Sequence, residues 1–378
     1  MKILHLVAGM ASESAGPAYS VPCLVSALAE HGLNTSLHVL EPVNLRREWT
    51  FRTYTYPARS FPLRKLGRSP EMLAGLSGMA DRNDIIHDHG LWMMPNIYAA
   101  VAARRTGARL VISPRGMMSE WSWNHSRLKK MVSGCLGQYR ALKECAMWHA
   151  TSREEYEDIR RLGYRQPVAL IANGVDICER ETNLLRKNQL LFLSRLHPKK
   201  GVDILLRCWS RLCREFPQWQ LLIAGPDNHA YADSLKEMAG RLECTNCVFT
   251  GEVVGRAKDL LYDESAIFVL PTHSENFGLV IAEALAHGTP VITTTGTPWR
   301  SLPGHHCGEC IELGEDTLTD ALRNLMQATP EVRESMGRNG QELMRREYGW
   351  NGLGEKMMEA YAWLRIGSGT PPEWVIVD

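Results

Sequence analysis

Ile267-Phe268-Val269-Leu270-Pro271-Thr272-His273-Ser274-Glu275-Asn276-Phe277-Gly278-Leu279-Val280-Ile281-Ala282-Glu283-Ala284-Leu285 is the stretch on which the fold turns. Its first four residues are a short apolar run stopped by proline, as a buried parallel strand would be. Leu279, Ala282, Leu285 and Ala286 then recur at helical spacing, so a helix is expected to start near Asn276–Gly278. A strand, a polar turn with a glycine and a helix N-terminus together make an anion site. The first backbone N–H groups of the helix lack intrahelical acceptors, and the dipole puts positive charge at that end. Glu275 lies in the turn and Glu283 about two helical turns later, so both can face one ligand. A site that gathers phosphate yet holds two carboxylates has a use for them on hydroxyls, because carboxylates accept hydrogen bonds from sugar or ribose OH groups. The segment alone leaves a plainer reading open, in which Glu275 caps the helix and Glu283 is solvated.

The run from Glu275 to Glu283, continued by Ala284-Leu285-Ala286-His287-Gly288-Thr289-Pro290-Val291-Ile292, resembles the glutamate-x7-glutamate region of the family 4 glycosyltransferases. The resemblance covers essentially the whole chain and is densest from Asn173 to Gly296. It implies an α/β protein of GT-B architecture, with two Rossmann-like, doubly wound domains facing across a cleft. Residues 1–176 would form the acceptor-side domain, 177–350 the nucleotide-sugar domain, and 351–378 a helical tail packing back on the first.

The 378 residues suffice for two domains, each with its own core. Hydrophobic content of 44% and charged content of 22% are those of a soluble globular protein. A net charge of +1 gives no global attraction to nucleic acid or membrane, so any such contact must be local. No apolar run is long enough for a membrane helix, and Met1 to Val7 suits a first strand rather than a secretion signal. Cys244-x-x-Cys247 and Cys307-x-x-Cys310 have the local spacing of zinc ligands, but the 59 residues between them exceed the usual gap, and scattered reduced thiols in a cytosolic protein are expected instead.

Along the first half, strand and helix signals alternate, which argues for a parallel sheet. Ile3–Val7 is followed by a glycine-bearing turn, Gly9 to Pro17, and a helix from Val21 to Glu30. Such a turn is where open α/β sheets bind phosphate, and by resemblance Gly16 is the position that approaches it. Residues 46–68 hold seven Arg or Lys against one acidic residue, interleaved with Trp49, Phe51, Tyr54, Tyr56 and Phe61. This mixture suits an anionic membrane or a lipid-linked acceptor, or else a strand pair with a solvated basic face. Asp84 to Trp92 is a strand running into a turn with His87 and His89, and Leu110–Ser113 leads into Pro114-Arg115-Gly116. Many family members carry a histidine where Arg115 stands. Arg115 would therefore act as a permanently charged clamp for phosphate or acceptor, leaving His89 as the polar partner of the reacting sugar. Residues 119–130, with Trp121 and Trp123, form a second basic–aromatic segment beside this site. Ser152-Arg153-Glu154-Glu155 has capping-box spacing, a structural signal.

Cys178 to Asn188 has the composition of a linker, after which the strand–helix cycle restarts at Leu190. Arg195 and Lys200 lie in the turn after that strand, beside a helix N-terminus, where two cations can neutralise a diphosphate. The further strands Gln220–Ala224, Val248–Thr250, Ile267–Leu270, Val291–Thr294 and Cys310–Leu313 complete six, expected in the order 3-2-1-4-5-6.

The resemblance implies transfer of a hexose from a UDP- or GDP-linked donor to an acceptor hydroxyl, with anomeric configuration retained. Arg195, Lys200 and the helix end at Asn276, Phe277, Gly278 and Leu279 would take the leaving diphosphate, Glu275 would orient the sugar, Glu283 would hold the ribose, and Gly251 would lie near the base. No D-x-D pair occurs, so neither a metal nor any other cofactor is expected. The expected setting is the cytoplasm, at the inner face of the membrane, with a lipid-linked saccharide acceptor in lipopolysaccharide, exopolysaccharide or capsule assembly. Two rivals remain at this stage: a sugar-nucleotide epimerase of the same fold, and a module that binds sugar nucleotides without turnover.

Overall fold

In a computed structural model, residues 1–10, 16–43, 49–59, 66–124, 127–177, 186–226 and 230–377 are described. The first sheet is built on β1 (Lys2–Val7), β2 (Asn34–Leu40), β3 (Arg52–Tyr56), β4 (Ile85–His89), β5 (Arg109–Ser113), β6 (Met147–Ala150) and β7 (Val168–Leu170). The second uses β8 (Lys187–Leu193), β9 (Gln220–Ala224), β10 (Cys247–Gly251), β11 (Ser265–Leu270), β12 (Val291–Thr294) and β13 (Gly308–Ile311), and β14 (Val375–Ile376) returns to the first. By their internal contacts the residues fall into two units, Met1–Gly174 with Trp350–Asp378, and Val175–Gly349.

The first unit's strand order is β14-β7-β6-β5-β4-β1-β2-β3, parallel except for β14, which pairs antiparallel with β7. The helical tail expected from residue 351 is the helix Trp350–Ile366, whereas this edge strand of two residues gives no signal in the sequence. The central strands are buried on both faces because helices cover both, as parallel sheets require, although β1, β4 and β6 carry buried polar residues among the apolar ones. Ile3, Ile85, Val111 and Met147 pack on one side against Leu353, Met357 and Tyr361 of the tail helix. Leu4, Ile86, Leu110 and Trp148 pack on the other.

The second unit's order is β10-β9-β8-β11-β12-β13, the expected doubly wound order 3-2-1-4-5-6 when counted within the unit. The strand expected from Leu190 starts earlier, at Lys187, so the end of the supposed linker is already sheet; residues 178–185 lie outside the described residues. Cys247 and Cys310 stand on β10 and β13, the two opposite edges of this sheet. The two cysteine pairs therefore cannot share one ion.

Candidate functional site

In the second unit, β8 and β11 are adjacent parallel strands, so the turns leaving their carboxyl ends are neighbours. The turn after β8 winds through Pro198–Lys200 to Gly201, whose φ of 68° is left-handed. A Cβ at Gly201 would collide with the carbonyl oxygen of Pro271, so only glycine lets the two turns close on each other. They are then tied together: the His273 N–H and the Thr272 hydroxyl both donate to the Lys199 carbonyl, at 2.8 and 3.0 Å.

This closure brings the Lys200 ammonium onto the Glu275 carboxylate as an ion pair, with 12% and 15% of the two side chains exposed. Arg195, in the same turn, is exposed and makes no ion pair among the described residues. The crowding of cations is felt by its neighbours. Burial, then Arg195, Lys200 and Lys199, hold His197 below the usual histidine value. Burial, opposed by Glu275 and reinforced by Lys200 and Arg195, holds Lys199 below the usual lysine value. Three cations, Arg195, Lys199 and Lys200, thus gather in the turn facing one carboxylate, Glu275.

The backbone on the other side of Glu275 is equally fixed. Its N–H donates to the Gly296 carbonyl at 2.8 Å. Gly278, with φ 80°, turns the chain into the helix Leu279–Ala286, so Asn276, Phe277 and Gly278 lie in the turn and Leu279 is the first helical residue. The Trp299 indole N–H donates to the Phe277 carbonyl at 2.5 Å, and Phe277, Trp299 and Tyr348 form one aromatic cluster. That cluster stiffens the helix entry without using its free N–H groups.

Glu283 is on the same helix and buried. Its two carboxylate oxygens accept from the Lys258 ammonium at 2.7 Å and the Tyr262 hydroxyl at 2.8 Å. Burial works against charge on Lys258, yet the carboxylate more than offsets it and holds that lysine above its usual value. Glu283 is therefore neither solvated nor free, and a hydroxyl ligand would share it with Lys258 and Tyr262. Gly251 ends β10 with φ 75°, and its carbonyl accepts from Gly225 N–H at 2.8 Å.

The first unit holds the other predicted residues. Gly16 opens the helix Gly16–Glu30 and is exposed, and residues 11–15 of the preceding turn lie outside the described residues. Period-two alternation on β1, β4 and β6 puts His5, His87, His89 and His149 on the face covered by the tail helix, all buried. His5 pairs in register with His87, and the rings of His87 and His89 lie 4.0 Å apart. Arg115, left-handed at φ 55°, drops its guanidinium onto this cluster, donating to His89 Nδ1 at 3.0 Å and to the Asn173 side-chain Oδ1.

The guanidinium fixes the tautomers beneath it. Arginine can only donate, so His89 Nδ1 is bare and its proton sits on Nε2. That proton points at His5 Nδ1, 3.0 Å away, so the His5 proton in turn sits on Nε2. Burial, with Arg115 nearby, pushes His5 and His149 down to about 3 and His87 and His89 well below 6.5, so all four are neutral. The same burial lowers Arg115 only to about 10, opposed by Glu155 and Tyr361, so it stays charged. His89, 2% exposed with both ring nitrogens engaged, ends β4 and meets the Arg115 guanidinium through Nδ1.

Three residues of this assembly carried no functional signal in the sequence. Glu155, expected only as a cap, is buried and accepts from Gly116 N–H at 2.6 Å and from the Thr151 N–H and hydroxyl at 2.8 and 2.9 Å. Asn173 anchors Arg115, and the Tyr361 hydroxyl lies 2.5 Å from His87 Nδ1. Histidine in place of an apolar residue at inward strand positions was the available signal, and it needed the strand register to be read. Of the basic–aromatic segments, residues 44–48 and 60–65 lie outside the described residues, whereas Phe51, just before β3, and Tyr56, at its end, are buried. Trp123 packs edge-on to Trp92 at 5.3 Å, whereas Trp121 is 57% exposed.

Residues 15–174 match the Glycosyl transferase 4-like domain and residues 178–343 the Glycosyl transferases group 1 family. A phosphatidyl-myo-inositol mannosyltransferase of Mycobacterium tuberculosis is 31% identical over 213 residues, 53% of this chain and 54% of that protein. The chain thus spans about half the length of these curated relatives. Among solved structures, the sucrose-phosphate synthase of Thermosynechococcus elongatus superposes with a TM-score of 0.77 at 19% identity, over 97% of this chain and 100% of that one. Anabaena HepE in complex with UDP-glucose gives 0.75 at 18%, over 96% and 99%. With both halves of the chain matched and the fold shared along its length, the protein belongs to the family 4 glycosyltransferases of GT-B fold.

Proposed function

We propose that the protein is a retaining hexosyltransferase that uses a nucleotide-diphosphate sugar and acts without a metal ion. The observation that carries this reading is the Lys200–Glu275 pair, with Arg195 beside it, at the paired ends of β8 and β11. As the glycosidic bond breaks, negative charge grows on the leaving diphosphate and positive charge on the anomeric carbon. Arg195, Lys200 and the N–H groups at the start of the Leu279–Ala286 helix receive the former. Donor phosphate draws Lys200 away from Glu275, which releases the carboxylate to hold the sugar hydroxyls. Glu283 takes the ribose, and Gly251 lies by the base. In the first unit Arg115 serves the acceptor, with His89 and Asn173 aiming it.

The acceptor side of the proposal is a lipid-linked saccharide at an anionic membrane, consistent with a relative named for a phosphatidylinositol substrate. No helix among the described residues is long and apolar enough to cross a membrane. Surface contact falls to residues 119–139, where Trp121, Met131, Val132, Leu136 and Tyr139 are exposed within a stretch that also carries Arg127, Lys129 and Lys130 in sequence. Apolar side chains among cations suit the headgroup region. The role in surface-glycan assembly belongs to this proposal.

A panel of UDP- and GDP-sugars screened by thermal shift tests the donor class, since a ligand at 100 times its dissociation constant adds about 2.7 kcal/mol. One sugar nucleotide should stabilise the wild type and also Glu275→Ala, while only the wild type transfers sugar. Stabilisation with no transfer to any acceptor would favour the non-catalytic module, and epimerised donor seen by NMR without acceptor would favour the epimerase. Failure of every nucleotide sugar to bind would reject the site.

A further inference from the structure

At the opposite ends of the first unit's strands, away from Arg115, lies a cavity of about 420 Å³ that the reading above does not use. Its floor is the amino-terminal edge of the sheet and the last turn of the helix Met94–Thr106, formed by residues such as Ile85, Ala103 and Leu110. Four arginines line it, Arg82, Arg104, Arg109 and Arg365, against two carboxylates, Asp84 and Glu144.

Both carboxylates are already committed. Asp84 accepts from the backbone N–H of Lys2 at 2.7 Å and of Asp81 at 2.9 Å, with the Lys2 ammonium at 3.8 Å. Glu144 accepts from Arg104 at 2.7 Å and from Arg140 at 2.6 Å. Arg109 reaches only the Arg365 carbonyl, at 3.4 Å, and neither Arg82, Arg109 nor Arg365 forms an ion pair among the described residues. Three arginines without a carboxylate partner among the described residues, Arg82 and Arg365 exposed and Arg109 half-buried, thus line one concavity, where an anion would be attracted. In a chain whose charges balance to +1, so uneven a grouping is local design rather than composition. The volume falls within the range of small-ligand sites.

We infer that this cavity binds a phosphate-bearing anion, with Arg82 and Arg109 as its principal contacts and Arg365, from the tail helix, closing it. Guanidiniums favour phosphate through paired N–H donors in a planar fork. The anion is either a soluble phosphorylated compound or a phospholipid headgroup, and the chemistry of the cavity is the same for both. Because Arg365 belongs to the helix that supplies Tyr361 to the histidine cluster, the occupant would also fix that helix.

The test uses the full chain carrying Arg195→Ala and Lys200→Ala, so that the proposed donor site cannot take the probe. Inorganic pyrophosphate should raise its melting temperature above that in chloride of matched ionic strength. Adding Arg82→Gln and Arg109→Gln should weaken binding by calorimetry about tenfold or more, while Arg105→Gln, at an exposed arginine outside the cavity, leaves it unchanged. In a second arm, sedimentation with phosphatidylglycerol rather than phosphatidylcholine vesicles, lost in the same double variant, would assign the cavity to a lipid headgroup. Pyrophosphate binding without vesicle binding would assign it to a soluble anion. If neither probe depends on Arg82 and Arg109, the inference is overturned. That result would leave the donor reading intact, since the donor site is silenced throughout.

Discussion

The two units place polar chemistry at the ends of parallel strands in opposite ways. In the second, the groups are charged, partly accessible and paired with opposite charges, Lys200 with Glu275 and Lys258 with Glu283. In the first, four imidazoles are buried and neutral, and the one charge among them, on Arg115, is held by a ring nitrogen and an amide oxygen rather than a carboxylate. The charged arrangement of the second unit suits a ligand that enters, exchanges ion pairs and leaves. The buried arrangement of the first unit suits a group whose position must not change, because moving Arg115 would strand His89 Nδ1 and Asn173 without a donor.

Acid should separate the units most sharply. A histidine kept neutral by burial binds its proton in the unfolded chain near pH 6.5 but not in the folded one, so stability falls as pH drops below that value. His5, His87, His89 and His149 act this way, as does His38, pushed down to about 4 by burial. Asp88 has the opposite sign. Burial raises it to about 8, against the Asn96 hydrogen bond, so it is protonated when folded and its contribution grows as pH falls from 8 towards 4. Five groups against one leave a net loss of roughly 4 kcal/mol between pH 7.5 and 5.5. Limited proteolysis of the full chain at the two pH values should then cut within Met1–Gly174 at pH 5.5 and spare Val175–Gly349. Equal protection of both units at pH 5.5 would erase the distinction drawn here.

Next in size is the loss of Glu275. Glu275→Gln keeps the shape but removes the charge that Lys200 answers, and a group acting on the transition state is worth about a hundredfold to a thousandfold in kcat. Nucleotide binding should hold or tighten, because the freed Lys200 no longer has to leave a carboxylate. A fall in affinity with kcat unchanged would move Glu275 from catalysis to simple binding.

What could be read in advance follows the same division. Arg195, Lys200, Glu275 and Glu283 sit in continuous turns and one helix, where a strand, a glycine and a helix start are visible within twenty residues. Strand order in the second unit followed from that alternation. The histidine cluster is assembled from β1, β4, β6 and a helix more than two hundred residues later, so its members have no local relation. In sequence only His87 and His89 stood together, as a pair at a strand end, whereas His5 and His149 were solitary polar residues in apolar strands. Glu155 was legible as a helix cap, yet its second task, fixing the Gly116 N–H, depends on a turn 39 residues away. The edge strand Val375–Ile376 was invisible because two residues carry no periodicity.

Glu155 therefore links the local and the distributed halves of the first unit. Glu155→Gln retains one acceptor oxygen but turns an NH2 group towards the Gly116 or Thr151 donors. One buried donor loses its partner, at a cost of about 1–3 kcal/mol. The turn carrying Arg115 should loosen as well, raising KM for the acceptor more than for the donor. A uniform loss of activity towards both substrates, in step with stability, would mark Glu155 as a fold residue only.

The smallest expected effect tests whether Arg115 is positioned by the cluster or merely rests on it. Tyr361 is fully buried, and its hydroxyl meets His87 Nδ1, one ring away from the His89–Arg115 contact. Tyr361→Phe deletes that hydroxyl without opening a cavity and should cost about 1–2 kcal/mol, the low end of the penalty for a buried polar group left unpartnered, because the freed ring can still turn. His87 would then have both ring nitrogens unpartnered among the described residues, since Nε2 already lacks one. A buried ring in that state has reason to rotate towards His5, whose Nε2 is likewise unpartnered. If the network behaves as a unit, nitrogen-15 spectra of the imidazoles should show the tautomer of His89 disturbed as well as that of His87. An unchanged His89 signal with the same loss of stability would make Arg115 and His89 a self-sufficient pair, and the remaining histidines polar filling under the tail helix.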